Sequence, residues 1–169
     1  MQPSPRTYRA FLVALMMLTA SAFQSARSTL EVAGELTLVT SSAGPGRDAR
    51  GRDAWISGAT GSNRSTGKSE FMNRAAVVTA DTSLLVAGTG PHQGTITMAD
   101  GANRLICAWR GRVTTVMGAD GTPRSTSVGT WTVLSSSGRY AGATGRGTYT
   151  GRYASSTTSV MEWAGMITP

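Results

Sequence analysis

Cysteine is almost missing from this chain: Cys107 stands alone among 169 residues, so no internal disulfide can form. Histidine is as scarce, with His92 the single copy. One His and one Cys cannot assemble a zinc site of the usual nitrogen and sulfur kind within one chain, so no metal is expected. The longest apolar run, Ala10 to Ala20, is too short to span a membrane as an ordinary helix. From Leu30 onward no amphipathic helix of three turns stands out, which points away from a helical fold.

The apolar run has another reading. Arg6 and Arg9 precede it without any acid, and Ala20-Ser21-Ala22 follows it as a small-residue cleavage site. Residues 1–22 therefore read as a secretory signal peptide, which places the product outside the cytoplasm, secreted or periplasmic. Thr7-Tyr8-Arg9 lacks the first arginine of a twin-arginine signal, and no cysteine follows the cleavage site for lipid attachment. Residues 23–169 remain as one domain, long enough for a real core. Loss of Arg6 and Arg9 lowers the formal charge from +7 to +5. The remaining arginines are scattered, so the charge serves solubility and no nucleic-acid partner is expected.

What the chain has in abundance is short alternating runs ended by Gly, Asp or Ser. Glu31 to Val39 sets Val32, Leu36 and Leu38 on one face and Glu31 and Glu35 on the other, the period of a strand. Ser41 to Asp53 is rich in Gly, Ser, Arg and Asp and reads as a solvated loop. Ala54 to Ala59 and Glu70 to Thr79 are candidate strands, although Met72 to Val78 also suits a helical turn, and Ser83 to Ala87 is a short apolar strand. Asp100-Gly101 and Asp120-Gly121 are hairpin signals between alternating runs. Gly129 to Tyr153 reads as strand, turn, strand, and Ser159 to Ile167 closes the chain with Met161, Trp163 and Ile167 on one face. Eight or nine such strands predict an all-β, antiparallel closed barrel of about eight strands. Gly138, Gly142, Gly145, Gly147 and Gly151 suit sharp bends or close approach of a neighbouring segment.

Motifs of chemistry are few. Gly67-Lys68-Ser69 ends like a phosphate loop, but Ser62 stands where that motif needs its first glycine, and no helix start follows. No cofactor is expected. Cys107, within Leu105 to Trp109, reads as a buried and inert thiol. His92, between Gly90 and Gly94, reads as an exposed loop histidine. Asn63-Arg64-Ser65 is a glycosylation sequon, meaningful only in a eukaryotic secretory pathway. Glu162 is the one acid in an otherwise apolar strand: an ion pair or solvent would make it structural, whereas a desolvated pocket would make it a proton donor or acceptor.

Gly129-Thr130-Trp131-Thr132-Val133, Gly138-Arg139-Tyr140-Ala141-Gly142 and Gly145-x-Gly147-Thr148-Tyr149-Thr150-Gly151, with Gly94-Thr95-Ile96, Asp100-Gly101 and Arg110-Gly111 upstream, resemble small secreted bacterial proteins with the barrel of allene oxide cyclases and dirigent proteins. The resemblance covers Gly94 to Ile167 and implies an allene oxide cyclase-like, calycin-like barrel. No acidic catalytic residue of the plant cyclases and no dirigent aspartate matches a position here, so neither activity carries over. Three functions are open. The first is a binding protein for a small apolar molecule held inside the barrel, lined by Trp131, Tyr140, Tyr149 and Trp163. The second is a cyclase or isomerase type of enzyme with Glu162 as its acid or base. The third is a structural barrel with a filled interior, able to associate with copies of itself.

Overall fold

The computed structural model describes residues 28–169; the expected signal segment lies outside them. Eight strands follow in chain order: β1 Leu30–Arg47, β2 Asp53–Ser65, β3 Ala76–Ser83, β4 Gly90–Asp100, β5 Asn103–Met117, β6 Pro123–Ser137, β7 Thr144–Tyr153 and β8 Thr158–Thr168. Each pairs antiparallel with the next, and β8 returns to β1, so the sheet closes into a barrel. The all-β class and the eight antiparallel strands anticipated from the alternation are both present. Among the described residues no helix is long and apolar enough to cross a membrane.

Strand alternation sorts the side chains as period two requires. Val32, Leu36 and Leu38 are buried inside β1, and Met161, Trp163 and Ile167 are buried inside β8. The outer surface is largely polar, with many threonines, and two hairpin turns fall at Asp100-Gly101 and Asp120-Gly121, where Gly101 and Gly121 take positive φ.

The first half of the chain departs from the sequence reading in three places. The expected loop from Ser41 is strand as far as Arg47, carried past a bulge between Thr40 and Ser42. Extension there is supported by pairing with β2, whose Asp53 to Gly58 face Arg47 to Ser42, not by apolar alternation, which is why composition alone suggested a loop. The expected strand from Glu70 begins only at Ala76, because Phe71 to Arg74 form a turn in which Met72 and Arg74 have positive φ. The apolar run after Ser83 is a tight loop bridged between Val86 and Thr89.

That turn at Phe71 plugs one end of the barrel. Phe71, Met72 and Ala75 are buried there with Tyr140, whose ring centroid lies 4.8 Å from that of Phe71. Asn63 pins the plug: its Nδ2 donates to the Met72 carbonyl at 2.7 Å, while its Oδ1 accepts the indole N–H of Trp163 at 2.9 Å. The side chain of the sequon asparagine is thus fully buried and engaged in the fold.

Glycines in register with aromatics explain much of the glycine content. Trp131 pairs across β6 and β7 with Gly147, which pairs in turn with Gly165 of β8. A side-chain carbon at Gly147 would fall 2.6 Å from the Trp131 ring, so the indole lies flat where two side chains are missing. Trp163 covers Gly34 in the same way, and Tyr149 covers Gly129 and Gly111. Large rings can cross neighbouring strands inside a narrow barrel only over positions without Cβ.

Candidate functional site

The two halves of the interior differ. Toward the plugged end, Trp131, Tyr149 and Trp163 leave a space of only about 30 Å³, shared with Leu36, Ile96 and Cys107. Its lining is apolar, and a space of roughly this size takes a water molecule at most. Burial pushes the Cys107 thiol up to about 12, so it stays protonated and inert as expected. Toward the other end lies a cavity of about 320 Å³ that opens between the hairpin ends, lined by Leu38, Val113 and Met161 together with Thr79, Thr115 and Ser127.

The polar groups deepest in this cavity belong to β3 and β4. Thr79, Asp81 and Ser83 alternate inward along β3, and His92 and Gly94 along β4; the register sets Ser83 opposite His92 and Asp81 opposite Gly94. His92 is therefore a buried strand residue, 8% exposed, rather than a loop residue. The flanking Gly90, Pro91 and Gly94 suggested a loop, but the glycines lie where neighbouring backbone approaches closely: a side-chain carbon at Gly90 would overlap the Leu84 carbonyl.

A hydrogen-bonded chain links the cavity to the core. His92 Nδ1 lies 3.1 Å from Asp81 Oδ1, the Ser83 hydroxyl donates to Asp81 Oδ2, and the Tyr149 hydroxyl lies 2.7 Å from His92 Nε2. Tyr149 reaches His92 from β7 by lying across Gly129 and Gly111, and Gly111 is the register partner of His92. Two missing side chains thus form a lane through which a phenol crosses two strands. Burial first, and the Asp81 carboxylate second, hold the Tyr149 phenol above its ordinary range, so it keeps its proton beside Nε2. The imidazole bridges the two, with Nδ1 toward Asp81 and Nε2 toward Tyr149. Asp81 is the terminal acceptor of the chain.

Trp109 packs beside this chain, with its ring centroid 5.8 Å from that of His92 and 5.7 Å from that of Tyr149. Its indole N–H lies over Gly94 and is a buried donor with no partner among the described residues. Leaving a buried donor unpaired costs about 1–3 kcal/mol.

The residues singled out from sequence fall elsewhere or play other parts. Trp131 and Trp163 face inward but fill the closed half, their rings edge to face at 5.9 Å. Tyr140 sits in the short 3-10 turn Gly138–Tyr140 and caps the plugged end under the Arg139 guanidinium. Tyr149 belongs to both halves, touching the small space and bonding to His92. Glu162 is on the outer face of β8, exposed to solvent and opposite Glu35 of β1, which pairs with Arg64 at 3.1 Å. The solvent-facing alternative is the one found for Glu162. The inward acid is Asp81, which sequence reasoning missed; the signal was available in its alternation with Thr79 and Ser83, once β3 is ended at Ser83. Among the described residues no group of three His, Cys, Asp or Glu side chains could hold a metal ion.

No protein-family model and no curated protein matches the chain.

Proposed function

We propose that this is a secreted or periplasmic barrel protein that binds a small, mostly apolar molecule in the open half of its interior, on a barrel of the allene oxide cyclase-like, calycin-like kind. One observation carries the reading: from the plug to Tyr149 the barrel leaves only about 30 Å³ free, and beyond it the interior opens to about 320 Å³. Volumes of roughly 300–1,000 Å³ are usual for small-molecule sites, and here Leu38, Trp55, Trp109, Val113 and Met161 share the lining with serines, threonines, Asp81 and His92. The ligand position moves accordingly, from the Trp131–Trp163 pair to the region of Asp81, His92 and Trp109.

The test is a comparison of native and denaturing mass spectra of the chain purified without organic solvent. Retained mass that is lost on denaturation supports the reading, and the same native spectrum reads the number of subunits. A bare mass, together with no binding of small aromatic probes, favours a structural barrel.

A second reading has its own observation. The Tyr149–His92–Asp81 chain could hold and move a proton at the edge of the cavity, as a cyclase or isomerase needs. In that reading Asp81 and His92 take the acid-base part first considered for Glu162. Turnover abolished by Asp81→Asn but unchanged by Glu162→Gln would separate enzyme from carrier.

A further inference from the structure

We propose that the open half of the barrel is a site for an organic cation: a protonated amine whose head meets the Asp81 carboxylate and whose apolar body lies against Trp55, Trp109 and Met161. This deepens the cavity reading above and rests on it. Asp81 is the one acid among the residues lining the cavity. Its only side-chain partners among the described residues are Ser83 and His92, and no Lys or Arg nitrogen comes within 4.0 Å of it. His92 touches Asp81 through Nδ1 and the Tyr149 hydroxyl through Nε2. Asp81 is thus the one carboxylate in the cluster of Asp81, Ser83, His92 and Tyr149, with no fixed Lys or Arg cation in reach of it.

Each carboxylate oxygen accepts one bond from the protein and can accept more. The carboxylate is mostly buried, with 13% of the side chain exposed, and it borders the cavity. A charge so placed is poorly screened, and a cation brought against it gains far more than at a solvated surface. Arg152 also borders the cavity, but it is an exposed residue at the rim, where solvent screens it. The rings of Trp55, Trp109 and Tyr153 border the same space and offer π-faces that attract a cation and exclude none of its apolar body.

Three probes of one shape decide the matter: phenethylamine, 2-phenylethanol and 3-phenylpropionate, titrated into the purified protein at pH 7 while tryptophan emission is followed. The expected result is that the ammonium probe binds at least about tenfold tighter than the alcohol, a ratio worth ~1.4 kcal/mol, and that the carboxylate binds weakest. Asp81→Asn should bring the amine down to the level of the alcohol, whereas Ser83→Ala should retain the preference. Equal binding of all three, or preference for the carboxylate, overturns the cation inference and leaves the cavity reading standing. Silence of all three probes at millimolar concentration, in a protein whose native mass is also bare, overturns both. Should Asp81→Asn fail to fold by circular dichroism, the probe series on the wild-type chain decides alone.

Discussion

The plugged end and the open end of the barrel are built from the same eight strands, yet inward positions carry different side chains in each. Near the plug they are Val32, Leu36, Trp131, Trp163 and Ile167, buried against Phe71 and Met72. Near the mouth they are Ser57, Thr79, Ser83, Thr115, Ser125, Ser127 and Ser159, all bordering the cavity. Closure of the sheet is common to both ends; burial of apolar area is concentrated at one. Close packing and open volume are therefore separated along the barrel axis, and substitutions at the two ends should report on different properties.

The largest effect is expected in the filled half. Trp131→Ala removes a ring that covers Gly147 and Gly165 and whose N–H donates to the Thr148 carbonyl at 3.2 Å. The cost should be about 3–5 kcal/mol in urea unfolding, with the open cavity and its binding changed much less in whatever fraction folds. A loss below about 1 kcal/mol would mean that the plugged half is not where stability resides.

Next is the lane that joins the halves. A side-chain carbon at Gly129 would meet the Arg110 carbonyl and fall 2.6 Å from the Tyr149 hydroxyl. Gly129→Val should cost about 1–3 kcal/mol by overpacking and should also shift the His92 ring resonances, because Tyr149 can no longer reach Nε2. Unchanged His92 resonances in a destabilised variant would sever the lane from the hydrogen bond. Gly145→Val is a control without the lane: its added carbon would press on Ile167 at 2.5 Å, so stability should fall while His92 stays as it is.

Which of these features sequence could show follows from how local each is. The second half of the chain is written in hairpins with Asp-Gly turns and steady alternation, so β5 to β8, and β4 from Gly94 on, are legible without a structure. The stretch from Ser41 to Ala87 is not, because its strands are defined by partners: β1 beyond Thr40 is extended on account of β2, and Phe71 turns inward to close the barrel. The aromatic residues were legible as interior, but alternation does not say how far along the axis a residue lies, so Trp131 and Trp163 could not be told from a ligand lining. Asp81 and His92 meet only when β3 and β4 are in register, and Tyr149 joins them over two glycines on strands between. Such a cluster is a property of the closed sheet.

Alkaline pH should find the filled half as well. Burial pushes the folded Cys107 thiol from its ordinary 9.0 up to about 12, so in that interval the unfolded chain loses a proton that the folded chain keeps. Stability is then intact below that interval and falls as pH rises through it, by about 1.4 kcal/mol per pH unit from this group. Tyr149 is raised too and adds to the fall above the ordinary tyrosine range. Cys107→Val, close in volume, should remove the first part of the decline; an unchanged profile would mean that the thiol is not desolvated in the folded protein.

The smallest stability effect is expected at the mouth, and β6 carries the comparison on one strand. Ser127, Gly129, Trp131 and Val133 face inward in turn, from the cavity, across the lane, into the filled half. The Ser127 hydroxyl hangs over Gly151 beside the open space, where added volume displaces solvent rather than packed atoms. Ser127→Leu should therefore shift unfolding by no more than about 0.5 kcal/mol, whereas Gly129→Val, one inward position farther along, should cost severalfold more. The same leucine occupies the volume that a ligand needs, so probe binding should weaken while the unfolding midpoint stays put. A strand on which stability and binding respond in opposite order over five residues would separate packing from recognition within a single element. If Ser127→Leu instead unfolds the protein, the mouth is packed in solution and the two ends are alike.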